Sequence, residues 1–202
     1  FQEALRRYPV SYFARDMRLS IGTHYFELGE LDQAKAVLMD LLSAGLDRNQ
    51  ELLVRFYLAN TYYSLREFED ARRSFQDLLR DYPDARELPD ILFGVAESHY
   101  QVGEFEKTIG YYERILEDFP DETAADDAQY NMAWCLIELK RGEEAMQALR
   151  TLLRRYPRSA FAASAQFTLG DYAYNRQVYQ EAMAAYRLIP AGSPYHWNAS
   201  IR

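Results

Sequence analysis

Few side chains in this sequence are spaced for chemistry. The three histidines, His24, His99 and His196, lie far apart, with none of the clustered His, Cys or carboxylate spacing that holds a metal ion. Each reads as a surface or boundary residue. The neighbouring carboxylates Asp126-Asp127 and Glu143-Glu144 fall where helices begin, and the positive pole of the helix dipole favours acids there. Two acids adjacent in one segment are not a general acid and a general base facing each other across a substrate. The single cysteine, Cys135, cannot form an internal disulfide. Its setting in Met132-Ala133-Trp134-Cys135-Leu136-Ile137 is that of a buried structural thiol rather than a reactive one. Arg150, Arg154, Arg155 and Arg158 gather at the end of a helix, where cations offset the negative pole of the dipole, so a solvated helix end is preferred to an anion or lipid-headgroup site. No glycine-rich phosphate loop occurs. These readings assign no catalytic residue, no metal ligand and no cofactor, and the chain is expected not to be an enzyme.

The elements around these residues carry more information. Of 202 residues, 49% are hydrophobic and 27% charged, a balance rich enough to bury a core. The net charge of −8 repels phosphate backbones and argues against a nucleic-acid partner. No apolar stretch reaches the roughly 18 residues of a membrane span, and no signal peptide is visible.

An internal repeat organises the chain. Tyr8-Pro9, Tyr82-Pro83, Phe119-Pro120 and Tyr156-Pro157 recur, the last three at intervals of 37 residues and the first two at twice that. The missing mark falls at Gly45-Leu46, where a helix must still stop. Five units follow: 9–45, 46–82, 83–119, 120–156 and 157–193. Other columns keep the register. Gly22, Ala59, Ala96, Ala133 and Gly170 form a small column, and Ala34, Ala71, Thr108, Ala145 and Ala182 another. Leu38, Phe75, Tyr112, Leu149 and Tyr186 form a bulky one.

Each unit reads as two helices. In 46–82, Phe68, Ala71, Phe75, Leu78, Leu79 and Tyr82 share one helical face, while Leu53, Phe56, Tyr57, Leu58, Ala59, Tyr62 and Tyr63 give the helix before it a broader apolar surface. The pattern changes phase near Ser64 to Glu67, where other units carry Gly29 and Gly103, helix C-terminal stops. Asp84 with Glu87 and Thr123 with Asp126 are expected to form capping boxes. Small residues let the two helices of a hairpin cross closely, bulky ones fill the space between hairpins, and stability comes from stacking.

These columns resemble the tetratricopeptide repeat over nearly the whole chain. Leu58-Ala59-Asn60-Thr61-Tyr62-Tyr63 and Gly103-Glu104-Phe105-Glu106-Lys107-Thr108-Ile109 come close to its consensus. The resemblance implies an all-α, right-handed α-solenoid of tandem helix-turn-helix hairpins, each with a helix A and a helix B. The usual period is about 34. The three extra residues here are expected to lengthen the start of helix A, and this long form with Tyr-Pro-Asp at the boundary resembles bacterial envelope proteins such as the BamD-like lipoproteins and the Tol-associated periplasmic coordinator. A periplasmic or outer-membrane-associated setting follows from that resemblance alone. The family's early tryptophan is replaced by Arg18, Arg55, Leu92, Gln129 and Gln166. Gly142 stands where neighbouring units have Phe68, Phe105 or Tyr179, so its turn is expected to pack loosely, and Pro190 should end the last helix B a turn early.

In the resembled family, partners lie in a groove lined by helix A. Carried onto this sequence, the groove holds Phe56, Asn60, Phe93, Glu97, Tyr130, Trp134, Phe167 and Asp171, with Leu19 and Thr23 in the first unit. A third stripe of Phe26, Tyr63, Tyr100, Ile137 and Tyr174 is expected mainly to pack. A clamp for a chaperone's C-terminal carboxylate is not expected, because its first lysine is replaced by Leu or aromatics. The chain is therefore expected to be a non-catalytic scaffold that holds a protein or peptide segment. The competing readings are a structural or self-associating module and a regulatory arm of a larger protein. Phe1 to Pro9 aligns with Phe75 to Pro83, so the chain is expected to be one array beginning with a partial helix B over 1–8 and closing in the start of another helix A over 194–202.

Overall fold

The computed structural model describes residues 12–196. The partial helix B expected over 1–8 lies outside the described residues, as does the segment 194–202 beyond residue 196. Among the described residues there are ten α-helices and no strand. In chain order they are α1 (Tyr12–Glu27), α2 (Leu31–Leu42), α3 (Arg48–Ser64), α4 (Phe68–Asp81), α5 (Leu88–Gln101), α6 (Phe105–Asp118), α7 (Ala124–Glu138), α8 (Gly142–Arg155), α9 (Ala162–Asn175) and α10 (Tyr179–Arg187). Odd-numbered helices are the A helices of the repeat and even-numbered ones the B helices. The helices fall into two compact units, Phe1–Glu104 and Phe105–Arg202.

In the first unit, α1 packs on α2 and α3 on α4 as hairpins, and each B helix also packs on the next A helix. Leu38, Leu41, Val54 and Leu58 form the core where α2 meets α3. Ala34, Ala59, Ala71 and Ala96 are wholly buried, as the close crossings require. The second unit repeats the scheme, with α7 on α8 and α9 on α10, and α8 against α9. Its small columns serve the same purpose: a β-carbon on Gly170 would lie 2.3 Å from Cε1 of Tyr186, closer than any real contact. Helix α10 runs only nine residues and stops at Arg187, short of Pro190.

Every A-to-B turn has one geometry. The residue at its apex has a positive φ in all five repeats: Gly29, Arg66, Gly103, Lys140 and Gln177. In each, the amide of the next residue reaches back to the carbonyl five positions earlier, as in Glu30 to Tyr25, Glu67 to Tyr62 and Arg141 to Leu136. This is the Schellman closure, which satisfies carbonyls left open at a helix end. Glycine meets the left-handed requirement without strain, whereas an L side chain there costs about 1–2 kcal/mol. Lys140→Gly is therefore expected to stabilise the protein by about 0.5–1 kcal/mol, after the added unfolded-state entropy of glycine is counted. The urea midpoint followed by circular dichroism checks it, and an unchanged or lower midpoint contradicts it.

The B-to-A boundaries depart from expectation. Where Tyr-Pro or Phe-Pro is present, the three extra residues do not lengthen helix A. They form two successive turns: the amide of Ala85 donates to Tyr82 O and that of Leu88 to Ala85 O, and Ser159 and Ala162 repeat this after Tyr156. The expected capping boxes are absent. Helix α5 begins only after Glu87, with Pro89 in its first turn, and neither Glu87 nor Thr123 makes a side-chain cap. Proline cannot donate to a helix and restricts the residue before it, so the chain turns twice before helix A starts. At the proline-free boundary the helix does lengthen. There α3 runs 17 residues from a capping box in which the Asp47 carboxylate accepts from the Gln50 amide. Gly142 does not leave its turn loose either. Tyr172 of α9 covers it, so a β-carbon would stand 3.1 Å from the ring. The large residue has moved to the facing helix.

Candidate functional site

One face of each A helix escapes full burial. Phe56 and Asn60 on α3, Phe93 and Glu97 on α5, Tyr130 and Trp134 on α7, and Phe167 and Asp171 on α9 are all half-buried. A spacing of four places each pair one turn apart on its helix. Leu19 and Thr23 on α1 follow the same rule. The two residues just before Asn60 and Glu97, Leu58-Ala59 and Val95-Ala96, are buried in the core instead.

In the first unit the face is braced from below and across. The Phe56 ring meets Phe75 edge-on, with centroids 6.3 Å apart. The Asn60 amide donates to the Phe56 carbonyl at 2.9 Å, so it is folded onto its own helix. Tyr63 of α3 reaches to α5, where its hydroxyl donates to Glu97 Oε2 at 3.0 Å and accepts from Gln101 Nε2 at 3.0 Å. Burial, followed by the Glu97 charge, pushes the Tyr63 phenol up to about 12, so it stays a donor at neutral pH. The third stripe therefore does more than pack. Tyr63 rests on Phe68 of the hairpin partner yet stays half-exposed and positions an acid.

In the second unit Tyr130 stacks on Phe161, with centroids 4.4 Å apart and planes at 13°, and its hydroxyl bonds Ser164 Oγ at 2.8 Å. Trp134 sits edge-on to Tyr130 at 6.1 Å. Phe167 packs between Tyr186 and Tyr195, and the Tyr186 hydroxyl donates to the Asp171 carboxylate. The structure thus joins Phe56, Asn60, Phe93 and Glu97 within one unit, and Tyr130, Trp134, Phe167 and Asp171 within the other. Sequence reasoning missed the tyrosine hydroxyls that hold the two acids. Their offset of 34 or 15 residues from the acid matches no column spacing. It also missed Asp90, Asp127 and Glu138, which continue the α5 and α7 stripes by a further turn, and the three-and-four spacing from Phe93, Tyr130 and Trp134 was the available signal.

The other reactive side chains differ in burial. His99 is not a surface residue: it is 2% exposed, with Nδ1 on Glu104 Oε2 and Nε2 3.1 Å from Gln76 Nε2. It ties helix α5 to α4 and to the turn that follows. His24 and His196 are exposed, and Cys135 is buried. No group of three or more potential metal ligands occurs among the described residues, and no described helix is long and apolar enough to cross a membrane. Arg150, Arg154, Arg155 and Arg158 are exposed. Of the two acid pairs, Glu143 and Glu144 are taken up by Arg176 and Arg141.

Tandem helical hairpins with left-handed A-to-B turns, small crossing columns and a half-exposed aromatic face define a helical repeat scaffold for binding other proteins. Models of the tetratricopeptide repeat match residues 99–167 in one form and residues 57–123 and 147–196 in another, and the chain belongs to that family. Solved structures agree in fold. The apo form of RapI superposes with a TM-score of 0.75 at 20% identity, covering 86% of this chain and 68% of that one. YrrB, a TPR protein with an unusual peptide-binding site, gives 0.68 at 14% identity, covering 99% and 95%. MamA gives 0.66 at 16%, covering 83% and 91%. Comparison with curated protein sequences gives no match.

Proposed function

We propose that this protein is a non-catalytic scaffold that holds a segment of a partner protein on the A-helix face. The observation that carries the reading is the aromatic face itself: Phe93, Trp134 and Phe167 stay half-exposed, while Tyr130 and Phe167 are braced by buried or stacked rings beneath them. Rigid aromatics at a surface lose little entropy on binding and are common anchors of interfaces. A partner helix could lay its apolar side on such a face. That YrrB is known by a peptide-binding site supports the same use. A setting in a bacterial envelope assembly rests on the 37-residue form of the repeat with its Tyr-Pro boundary.

A second reading, self-association, is favoured by the two outermost described helices. On α1, Phe13 is 77% exposed, and on α10, Met183 is 44% exposed although its repeat equivalents Met146 and Ile109 are buried. Photo-crosslinking in the source cells separates the two. A benzophenone side chain at position 93 or 134 is expected to capture a different protein, and one at the B-helix position 39 is not. Adducts only between copies of this chain, through positions 13 and 183, would replace the groove reading with the self-association one.

A further inference from the structure

A groove of about 760 Å³ runs between the B helices α8 and α10. Both pack on α9, and all three helices belong to the second unit. Phe167 and Asp171, the α9 residues of the aromatic face, do not line it. Its floor is apolar, with Leu169 and Ala173 from α9 and Leu153 from α8. Leu169 is half-buried, whereas Leu58 and Val95, which hold its place in the first unit, are buried. On the other side α10 offers Ala184 and Ala185, followed by Leu188, which is 71% exposed. Helix α4 has Arg73, Ser74 and Asp77 at these three positions, so a polar surface of the repeat has become a shallow apolar trough.

The charges along the trough are polarised. At one end Glu143 is taken up by Arg176, whose guanidinium lies over the Tyr172 ring, 5.4 Å from its centroid. Glu181, in the first turn of α10, lines the same end. Farther along α8, Arg150 and Arg154 stand exposed on the rim, one turn apart and on the same face as Leu153. Among the described residues neither makes an ion pair, and Arg150 reaches Glu143 only through its field. The helix dipole does not account for both arginines. Its effect falls off within the last turn, which holds Arg154 and Arg155, and Arg150 lies a turn earlier. The preceding B helix has Glu113 and Glu117 at the same two positions, so the repeat itself does not call for cations there. Arg155, which lies over the Tyr156 ring at 5.6 Å, and Arg158 do not line the groove.

We propose that the groove between α8 and α10 is a second docking surface, for an acidic segment of a partner protein. Such a segment lays an apolar side chain on Leu169, Ala184 and Ala185 and sets a carboxylate against Arg150 and Arg154. The proposal goes beyond the reading of the A-helix face and does not depend on it. On a chain of net charge −8, two guanidiniums beside an apolar floor attract an acidic segment that the rest of the surface repels. A sheet of anionic lipid headgroups would meet Glu181 at the same time, whereas a single segment need place its acids only at the arginine end.

The test titrates two fluorescein-labelled amphipathic peptides, one of Glu and Leu and one of Lys and Leu, with the full chain and reads their anisotropy. The Glu/Leu peptide is expected to bind saturably and to weaken with salt. Arg150→Gln/Arg154→Gln should weaken it about fivefold, as for two exposed charge pairs. Arg155→Gln/Arg158→Gln removes the same charge from the same helix end but outside the groove, and should change affinity by less than about twofold. Ala184→Trp, at an exposed position, fills the trough and should remove measurable binding, with circular dichroism checking the fold of every variant. If the Lys/Leu peptide binds as tightly as the acidic one, or if neither binds, the acidic class is wrong. If both arginine pairs weaken binding equally, or if Ala184→Trp leaves it unchanged, the groove is not the site. If phosphatidylglycerol vesicles bind through Arg150 and Arg154 and the peptide does not, a lipid surface replaces the protein segment. None of these outcomes bears on the A-helix face, which stands or falls on the crosslinks at positions 93 and 134.

Discussion

Phe75→Ala is expected to destabilise the unit ending at Glu104 by about 3–5 kcal/mol, the usual cost of emptying a buried aromatic site. Phe75 is 1% exposed and sits where its own hairpin meets the next A helix. Its ring lies over Gly94 of the next A helix, so close that a β-carbon there would be 2.4 Å from Cε1, and it braces Phe56 edge-on. The site cannot collapse, because the helices on both sides are held by wholly buried alanines at their crossings. The same geometry sets a second effect. Gly94→Ala should overpack the ring and cost about 1–3 kcal/mol, and Phe75→Leu should recover part of that loss. Urea denaturation of the four variants in a double-mutant cycle measures the coupling. If Gly94→Ala and Phe75→Leu add without interaction, the ring does not bear on Gly94.

The repeat made most of this fold legible before any coordinates. Small residues in the columns of Ala59 and Ala71 and bulky ones in that of Phe75 reflect direct packing demands, and such demands leave a residue type behind. The turn apex was half visible: Gly29 and Gly103 announced it, but Arg66, Lys140 and Gln177 adopt the same left-handed backbone without a glycine. Their conformation is imposed by the Schellman closure and the hairpin packing, which no local preference of Arg, Lys or Gln encodes. The capping boxes failed for the opposite reason. Asp84 has the right residue type, but the proline-led double turn moves the helix start to Glu87; Thr123 does stand at the start of its helix, but its backbone is already helical and its side chain makes no cap. His99 was misplaced because its burial depends on Gln76 and Glu104, 23 residues before it and five after, outside any column.

The aromatic face was legible as a set of columns and only partly as a site. The columns predicted which side chains lie together on each helix. They could not tell which are free to bind. Asn60 looked like a groove amide, yet its donor is spent on the Phe56 carbonyl. Glu97 and Asp171 looked like scattered acids, yet each is fixed by a tyrosine from another column.

The second large effect concerns the partner. Trp134 exposes a wide ring beside Tyr130 and makes an edge contact that its removal would not empty from the core. Trp134→Ala is expected to weaken partner binding by about 2 kcal/mol or more, roughly thirtyfold, as for a central aromatic anchor. Phe93→Ala should act similarly in the first unit. Asn60→Ala should change affinity by less than about threefold, because a folded-back amide offers a partner little.

The most direct measurement is affinity capture from an extract of the source cells, read by mass spectrometry. The baits are the wild-type chain, Phe93→Ala/Trp134→Ala, and the B-helix variant Met39→Ala, each checked for helicity. The scaffold account predicts a protein held by the wild type and by Met39→Ala and lost by a folded Phe93→Ala/Trp134→Ala. Identical proteins on all three baits, or only copies of the chain itself, would contradict it.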